Sequence, residues 1–145
     1  MNYDKLLESV KKHEGYKNHV YLDTLGKRTV GVGHLCVEDF WEDDKEYEED
    51  FLMDLLKKDL QQAIRQANLK CEGLKISDDA KIIIIEMIFQ LGGTGVSKFR
   101  KMWQALQQDP PDYAEASVQM LDSRWAKQTP NRAKEMARLM SECVV

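Results

Sequence analysis

The sequence predicts a mostly helical α+β fold, with a small lobe built on a β-hairpin, a long connecting helix and a larger helical lobe. Three observations predict it. Period-two patterning is confined to two short runs near the N-terminus, one long stretch repeats apolar pairs every four residues, and Gly and Pro divide the second half into helix-length segments. A chain of 145 residues fits one domain with a substantial core.

Residues 3–13 form the first predicted helix. Leu6, Leu7 and Val10 recur at helical spacing, Lys11 and Lys12 suit a C-terminal turn, and Gly15 suits a helix stop. Two strands, Lys17–Leu22 and Lys27–His34, are predicted to pair through the turn Asp23-Thr24-Leu25-Gly26. From Phe51 to Asn68, Phe51/Leu52, Leu55/Leu56, Leu60 and Ala63/Ile64 mark the long amphipathic helix. Ser77 suits the N-cap of the next helix, whose Ile82–Ile85, Met87, Ile88 and Phe89 are apolar nearly all round and whose end falls at Gly92-Gly93. Further helices are expected over 97–107, 112–122 and 130–142, the last with Thr129 as N-cap and Pro130 in its first turn. The whole is one domain, 1–145: a β-containing lobe over about 13–50, a connecting helix over about 51–68, and a helical lobe of 69–145 together with helix 3–13. A cleft between such lobes is the default place for a ligand.

The net charge of −4 is unevenly spread. Residues 36–59 carry eleven Asp or Glu against three Lys, a local balance of −8, and the remainder therefore carries +4. An acidic chain with no basic stripe argues against nucleic-acid binding. The longest apolar run, Ile82–Ile85, is far short of a membrane span, and Met1-Asn2-Tyr3-Asp4-Lys5 lacks the layout of a secretory signal. Synthesis in the cytoplasm is therefore expected. Cys36, Cys71 and Cys143 have no metal-type spacing, and free thiols are the simplest reading, a disulfide between two of them staying open. His13, His19 and His34 form no ligand cluster with them, so neither metal nor cofactor is expected. The run Glu38–Asp50 lacks the Gly and alternation of a calcium loop and is expected to be a solvated face. Trp41, Trp103 and Trp125 are expected to pack in the core or at its rim.

Glu14 falls at the negative end of the first helix, where a carboxylate is disfavoured; that suits a group that must hold and donate a proton, although solvation beside Lys11 and Lys12 is the plainer reading. Asp23 opens the hairpin turn, where Asp is common for its own backbone bonds. A second carboxylate on a hairpin that folds back towards the helix end is also what glycoside hydrolysis requires. Alternation puts Thr29, Gly31 and Gly33 on one strand face. Two glycines there suggest close approach of a sugar chain with Thr29 holding a water, or equally a bulge or tight packing.

Glu14, Asp23 and Thr29, with eight and five residues between them, resemble the catalytic spacing of the T-even phage lysozymes, glycoside hydrolase family 24. Around them stand His13-Glu14-Gly15, Tyr21-Leu22-Asp23-Thr24 and Thr29-Val30-Gly31-Val32-Gly33-His34-Leu35. The downstream blocks Met87–Val96 and Ser123–Lys134 are similar to that family too. The resemblance implies a lysozyme-like fold and hydrolysis of the bond between N-acetylmuramic acid and N-acetylglucosamine. Glu14 would be the general acid, and Asp23 and Thr29 would place the attacking water, with inversion at the anomeric carbon. It further implies that Leu35, Phe89, Gln90 and Gln119 contact the sugars and that Arg132 orients Glu14. Met102 replaces a small hydroxyl residue of the family's cleft, and Gln119 a shorter amide. The implied setting is an endolysin, a monomer made in the cytoplasm that reaches the glycan strands in the periplasm through a holin. A virion-associated or antibacterial lysozyme, or a catalytically idle wall-binding protein, would keep the same scaffold.

Overall fold

A computed structural model describes residues 2–144. Eight helices and one three-stranded sheet occur among these residues, an α+β fold that is mostly helical. The elements are α1 (Tyr3–Glu14), β1 (Lys17–Leu22), β2 (Arg28–Gly31), β3 (His34–Leu35), α2 (Glu49–Lys70), α3 (Asp78–Leu91), α4 (Gly93–Ser97), α5 (Arg100–Leu106), α6 (Tyr113–Leu121), α7 (Arg124–Gln128) and α8 (Pro130–Ser141). They form two compact units that meet within α2, one ending at Gln62 and the other beginning at Ala63.

In the first unit, Asn2 caps α1 by accepting from Lys5 N–H at 3.1 Å, and Leu6 and Val10 form its buried stripe. The sheet is antiparallel in the order β1-β2-β3. The sequence predicts one strand over 27–34, but two short strands stand there. Gly31 and Gly33 have φ of 64° and 68°, left-handed values that turn the chain back so that Val30 pairs with His34. The two glycines are thus turn formers, and not a flat face for a sugar. Gly31 also meets α2 closely, since a Cβ on it would lie 3.4 Å from Leu52. Val20, Val30, Trp41 and Leu52 make the core of this unit, with Cys36, Tyr47 and Leu55 packed against it.

The segment expected to be a solvated face is tied down at several points. Trp41 is buried, Tyr47 N–H donates to Asn18 O at 2.8 Å, and Arg28 pairs with Asp43 at 2.9 Å. Trp41, Tyr47, Phe40 and Phe51 form a ring cluster with centroid separations between 4.7 and 6.4 Å.

In the second unit, α3 is the apolar centre, capped by Ser77 Oγ, which accepts from Ala80 N–H at 3.2 Å. α6 and α8 pack on each other, α5 packs on α6, and α8 also packs on α3. Met102, Leu106, Met120, Met136 and Met140 fill the space between them. The expected helix 97–107 is α5, which begins only at Arg100, and the short α4 before it was not expected. The short α7 is an element that the sequence does not announce. Thr129 occupies the N-cap position of α8 without capping it, because its hydroxyl donates instead to Trp125 O at 3.2 Å. Cys36, Cys71 and Cys143 form no disulfide among the described residues, and no described helix is long and apolar enough to cross a membrane.

Candidate active site

Glu14 is the last residue of α1. Gly15, with φ of 74°, ends the helix by donating its N–H to Lys11 O, and β1 begins two residues later. A half-buried carboxylate is thereby fixed at a helix C-terminus directly beside the sheet. Asp23 follows β1 and closes the turn. Its Oδ1 accepts from Leu25 N–H at 2.9 Å and from Lys27 N–H at 2.8 Å, while its own N–H donates to Lys27 O at 2.9 Å. Both readings of Asp23 therefore meet in one side chain. One oxygen holds the turn, and Oδ2 makes no hydrogen bond among the described residues.

The register sets the neighbouring side chains in a row: Tyr21 opposes Thr29, and Thr29 opposes Leu35. Thr29 is buried, at 3 % exposure, and its hydroxyl donates to Lys27 O at 3.0 Å. The same residue thus ties Asp23 through its N–H and Thr29 through its carbonyl. Since the Thr29 proton is committed there, towards a water this hydroxyl is an acceptor alone. Tyr21 shows that the two candidate acids share one neighbourhood. Burial raises its phenol above the usual value, and the negative charges of Glu14 and Asp23 raise it further. Lys17 Nζ lies 4.4 Å from the centroid of the Tyr21 ring. Tyr21 has no role in the sequence reading; the available signal is its spacing of two from Asp23, which sets both on one side of an extended chain.

The remaining predicted residues lie in the second unit. Phe89 and Gln90 are half-buried near the end of α3. Gln90 Oε1 accepts from Trp125 Nε1 at 3.1 Å, and Gln90 Nε2 donates to Thr129 Oγ1 at 3.4 Å. Gln90 is thus a fixed amide whose supports, Trp125 and Thr129, are 35 and 39 residues away, beyond the reach of any local pattern. Gln119 is half-buried on α6 and donates to Glu115 Oε1 at 2.7 Å. Met102, placed by the resemblance at the cleft, is fully buried. Arg132 is half-buried in the first turn of α8. No group of three or more His, Cys, Asp or Glu among the described residues is arranged to hold a metal ion.

The first-unit site offers what acid-catalysed cleavage with water attack needs: one carboxylate on a helix end and a second held by backbone N–H groups with an oxygen to spare, beside a hydroxyl acceptor. Comparison with known families matches residues 11–141 to the family described as phage lysozyme. Two proteins of Dictyostelium discoideum are similar along nearly the whole chain. "Probable T4-type lysozyme 2" is 26 % identical over 155 residues, covering 90 % of each chain, and "Probable T4-type lysozyme 1" is 27 % identical over 153 residues, covering 89 % of each. The match spans the last turn of α1 with Glu14, the turn of Asp23, and the α3 and α7–α8 blocks alike, and so this chain belongs to the phage lysozyme family, as a glycosidase of the lysozyme type.

Proposed function

We propose that this lysozyme hydrolyses the β-1,4 bond between N-acetylmuramic acid and N-acetylglucosamine, with Glu14 protonating the leaving oxygen and Asp23 and Thr29 placing the attacking water. The observation that carries this reading is the way Lys27 binds both Asp23 and Thr29. That anchoring leaves Asp23 Oδ2 to accept one water proton and the Thr29 oxygen to accept another. Leu35, Phe89, Gln90 and Gln119 are assigned to the glycan, and Arg132 to holding Glu14 in its donating orientation. No cofactor enters this chemistry. The setting proposed is that of an endolysin: a monomer made in the cytoplasm and released through a holin to the wall in the periplasm.

Substitution of Glu14 by Gln keeps the shape and removes the acid. The folded Glu14→Gln protein is expected to lose about 10²–10⁴-fold in clearing permeabilised Gram-negative cells, the usual worth of general acid catalysis. A folded variant that keeps more than about a tenth of wild-type clearing overturns the assignment.

A further inference from the structure

Two phenyl rings of the first unit stand in water, and the chemistry above uses neither. Phe40 is 51 % exposed, and Phe51, in the first turn of α2, is 42 % exposed. Their centroids are 6.4 Å apart, and the buried Trp41 ring backs both, at 4.7 and 5.9 Å. Leu55, half-buried one turn beyond Phe51, extends the apolar strip along α2. Single apolar side chains on a surface are ordinary, but adjoining aromatic rings rimmed by charge mark a contact surface. The rim here is of one sign. Residues 36–54 hold ten Asp or Glu against one Lys, and that cation, Lys45, is engaged by Glu42 at 4.0 Å and by the Tyr47 ring. Asp39 precedes Phe40, Asp50 precedes Phe51, and Asp54 follows Phe51 by one turn. All three are exposed and make no ion pair or side-chain hydrogen bond among the described residues.

We propose that this strip, Phe40, Phe51 and Leu55 within its acidic rim, docks a basic amphipathic helix of a partner protein. Charge and spacing both select that occupant. A helix sets apolar side chains three and four residues apart at about 5–6 Å, close to the separation of the two rings, and carries its cations beside that face. A second copy of this chain, meeting the strip face to face, would set acid against acid. A glycan strand bearing carboxylates, or an anionic lipid surface, is repelled by the same field. The docking surface does not depend on the glycan chemistry proposed above, and its test reads binding alone.

The probe is a helical peptide of about 18 residues with Leu along one face and Lys elsewhere. Titrated into the full chain, it is expected to move the amide signals around Phe40, Phe51 and Leu55 by NMR and to give one saturable site by calorimetry. A scrambled peptide of the same composition is expected to bind about tenfold more weakly, and a version with Glu for Lys not measurably. Phe40→Gln with Phe51→Gln is expected to weaken binding about tenfold or more, the order of one buried phenyl lost. Asp39→Asn with Asp50→Asn and Asp54→Asn leaves the rings in place. That variant is expected to weaken binding about fivefold at 0.01 M salt and hardly at 1 M, where the Debye length is ~3 Å. Equal binding of the scrambled peptide means charge attraction alone and overturns the proposal. Signals that move only elsewhere, or a charge variant that binds as wild type at both salts, overturn it too. Glycan strands or anionic vesicles that move the same amides, where the peptide does not, overturn the class of partner. A dimer seen by sedimentation and lost with the two rings assigns the strip to a second copy instead.

Discussion

At the scale of single residues, His34 and Asp23 carry the sharpest expectations. His34 Nδ1 lies 2.7 Å from Asp59 Oδ2, and its Nε2 lies 2.9 Å from Glu38 Oε1, which also accepts from Trp41 Nε1 at 2.8 Å. The hydrogen bond to Asp59 raises the imidazole to about 9, against the opposing effect of burial, with Glu38 assisting. Burial pushes the Glu38 carboxyl up, but its hydrogen bonds with His34 and Trp41 outweigh that and hold it below the usual range. Because the folded protein binds the His34 proton more tightly than the unfolded chain, this stabilisation is complete below about pH 6.5 and is lost as pH rises through about 9. Part of the opposing carboxylates is solvent-exposed, which discounts the effect to about 2 kcal/mol. Thermal unfolding of His34→Gln is expected to show that deficit at pH 6 and little of it at pH 10, with the wild-type imidazole titrating near 9 by NMR. An imidazole titrating near 6.5 removes the basis of this expectation. For Asp23, water placement by the free Oδ2 predicts inversion, so a β-linked strand should yield the α-anomer first when hydrolysis is followed by NMR. A β-anomer appearing first would make a protein carboxylate the nucleophile.

At the scale of elements, the β2–β3 turn shows where alternation misleads. Thr29-Val30-Gly31-Val32-Gly33-His34 alternates as a continuous strand does, yet Gly31 and Gly33 take left-handed φ and fold it in two. Period-two patterning records which side chains are apolar and is blind to the sign of φ at a glycine. The two kinds of glycine cost separate by mutation. Gly31→Ala meets both the positive φ and Leu52 at 3.4 Å, whereas Gly26→Ala has φ of 77° and open space around the new Cβ. Denaturant unfolding is expected to give a loss of about 1 kcal/mol for Gly26→Ala and about 2 kcal/mol or more for Gly31→Ala. Equal losses would mean that contact with Leu52 adds nothing. The helical elements were more legible. Ser77 as cap and Gly92 as stop act through bonds to near neighbours, and Pro130 in the first turn of α8 acts through its fixed φ, all of which a local reading captures. The short α4 was not legible, since Gly92-Gly93 reads as a stop; Trp103 Nε1 of α5 donates to Val96 O of α4 at 2.9 Å.

At the scale of the molecule, charge divides with the units. Residues 1–62 hold nine Lys or Arg against fifteen Asp or Glu, a balance of −6, and residues 63–145 hold twelve against ten, a balance of +2. The acidic excess thus lies in the unit that carries Glu14 and Asp23. An anionic wall is repelled by such a field until salt screens it, the Debye length falling from ~30 Å at 0.01 M to ~10 Å at 0.1 M. Lytic rate is therefore expected to rise over that range. Neutralising Glu42, Asp44, Glu46 and Glu48 is expected to raise the low-salt rate and flatten the response. Asp43 and Glu38 are left intact, because they hold Arg28, His34 and Trp41. A variant with the wild-type rate and salt profile would reduce the acidic segment to a solubility device.

Sequence alone determined the fold class, most helix ends and the family resemblance, and it offered Glu14, Asp23 and Thr29 as a candidate set. These rest on periodicity, caps and spacing, which are written within a few turns of chain. What the tertiary structure decided is how those residues are held: Lys27 shared between Asp23 and Thr29, Tyr21 in the field of both acids, Gln90 fixed by Trp125 and Thr129, and His34 clasped between Asp59 and Glu38. Several of these contacts join residues 25 to 39 positions apart, and even the short-range ones depend on a φ sign or on which backbone group a side chain selects. Both are settled only when the chain packs, because a hydrogen bond or a charge acts over a few ångströms of space, whatever the distance along the sequence.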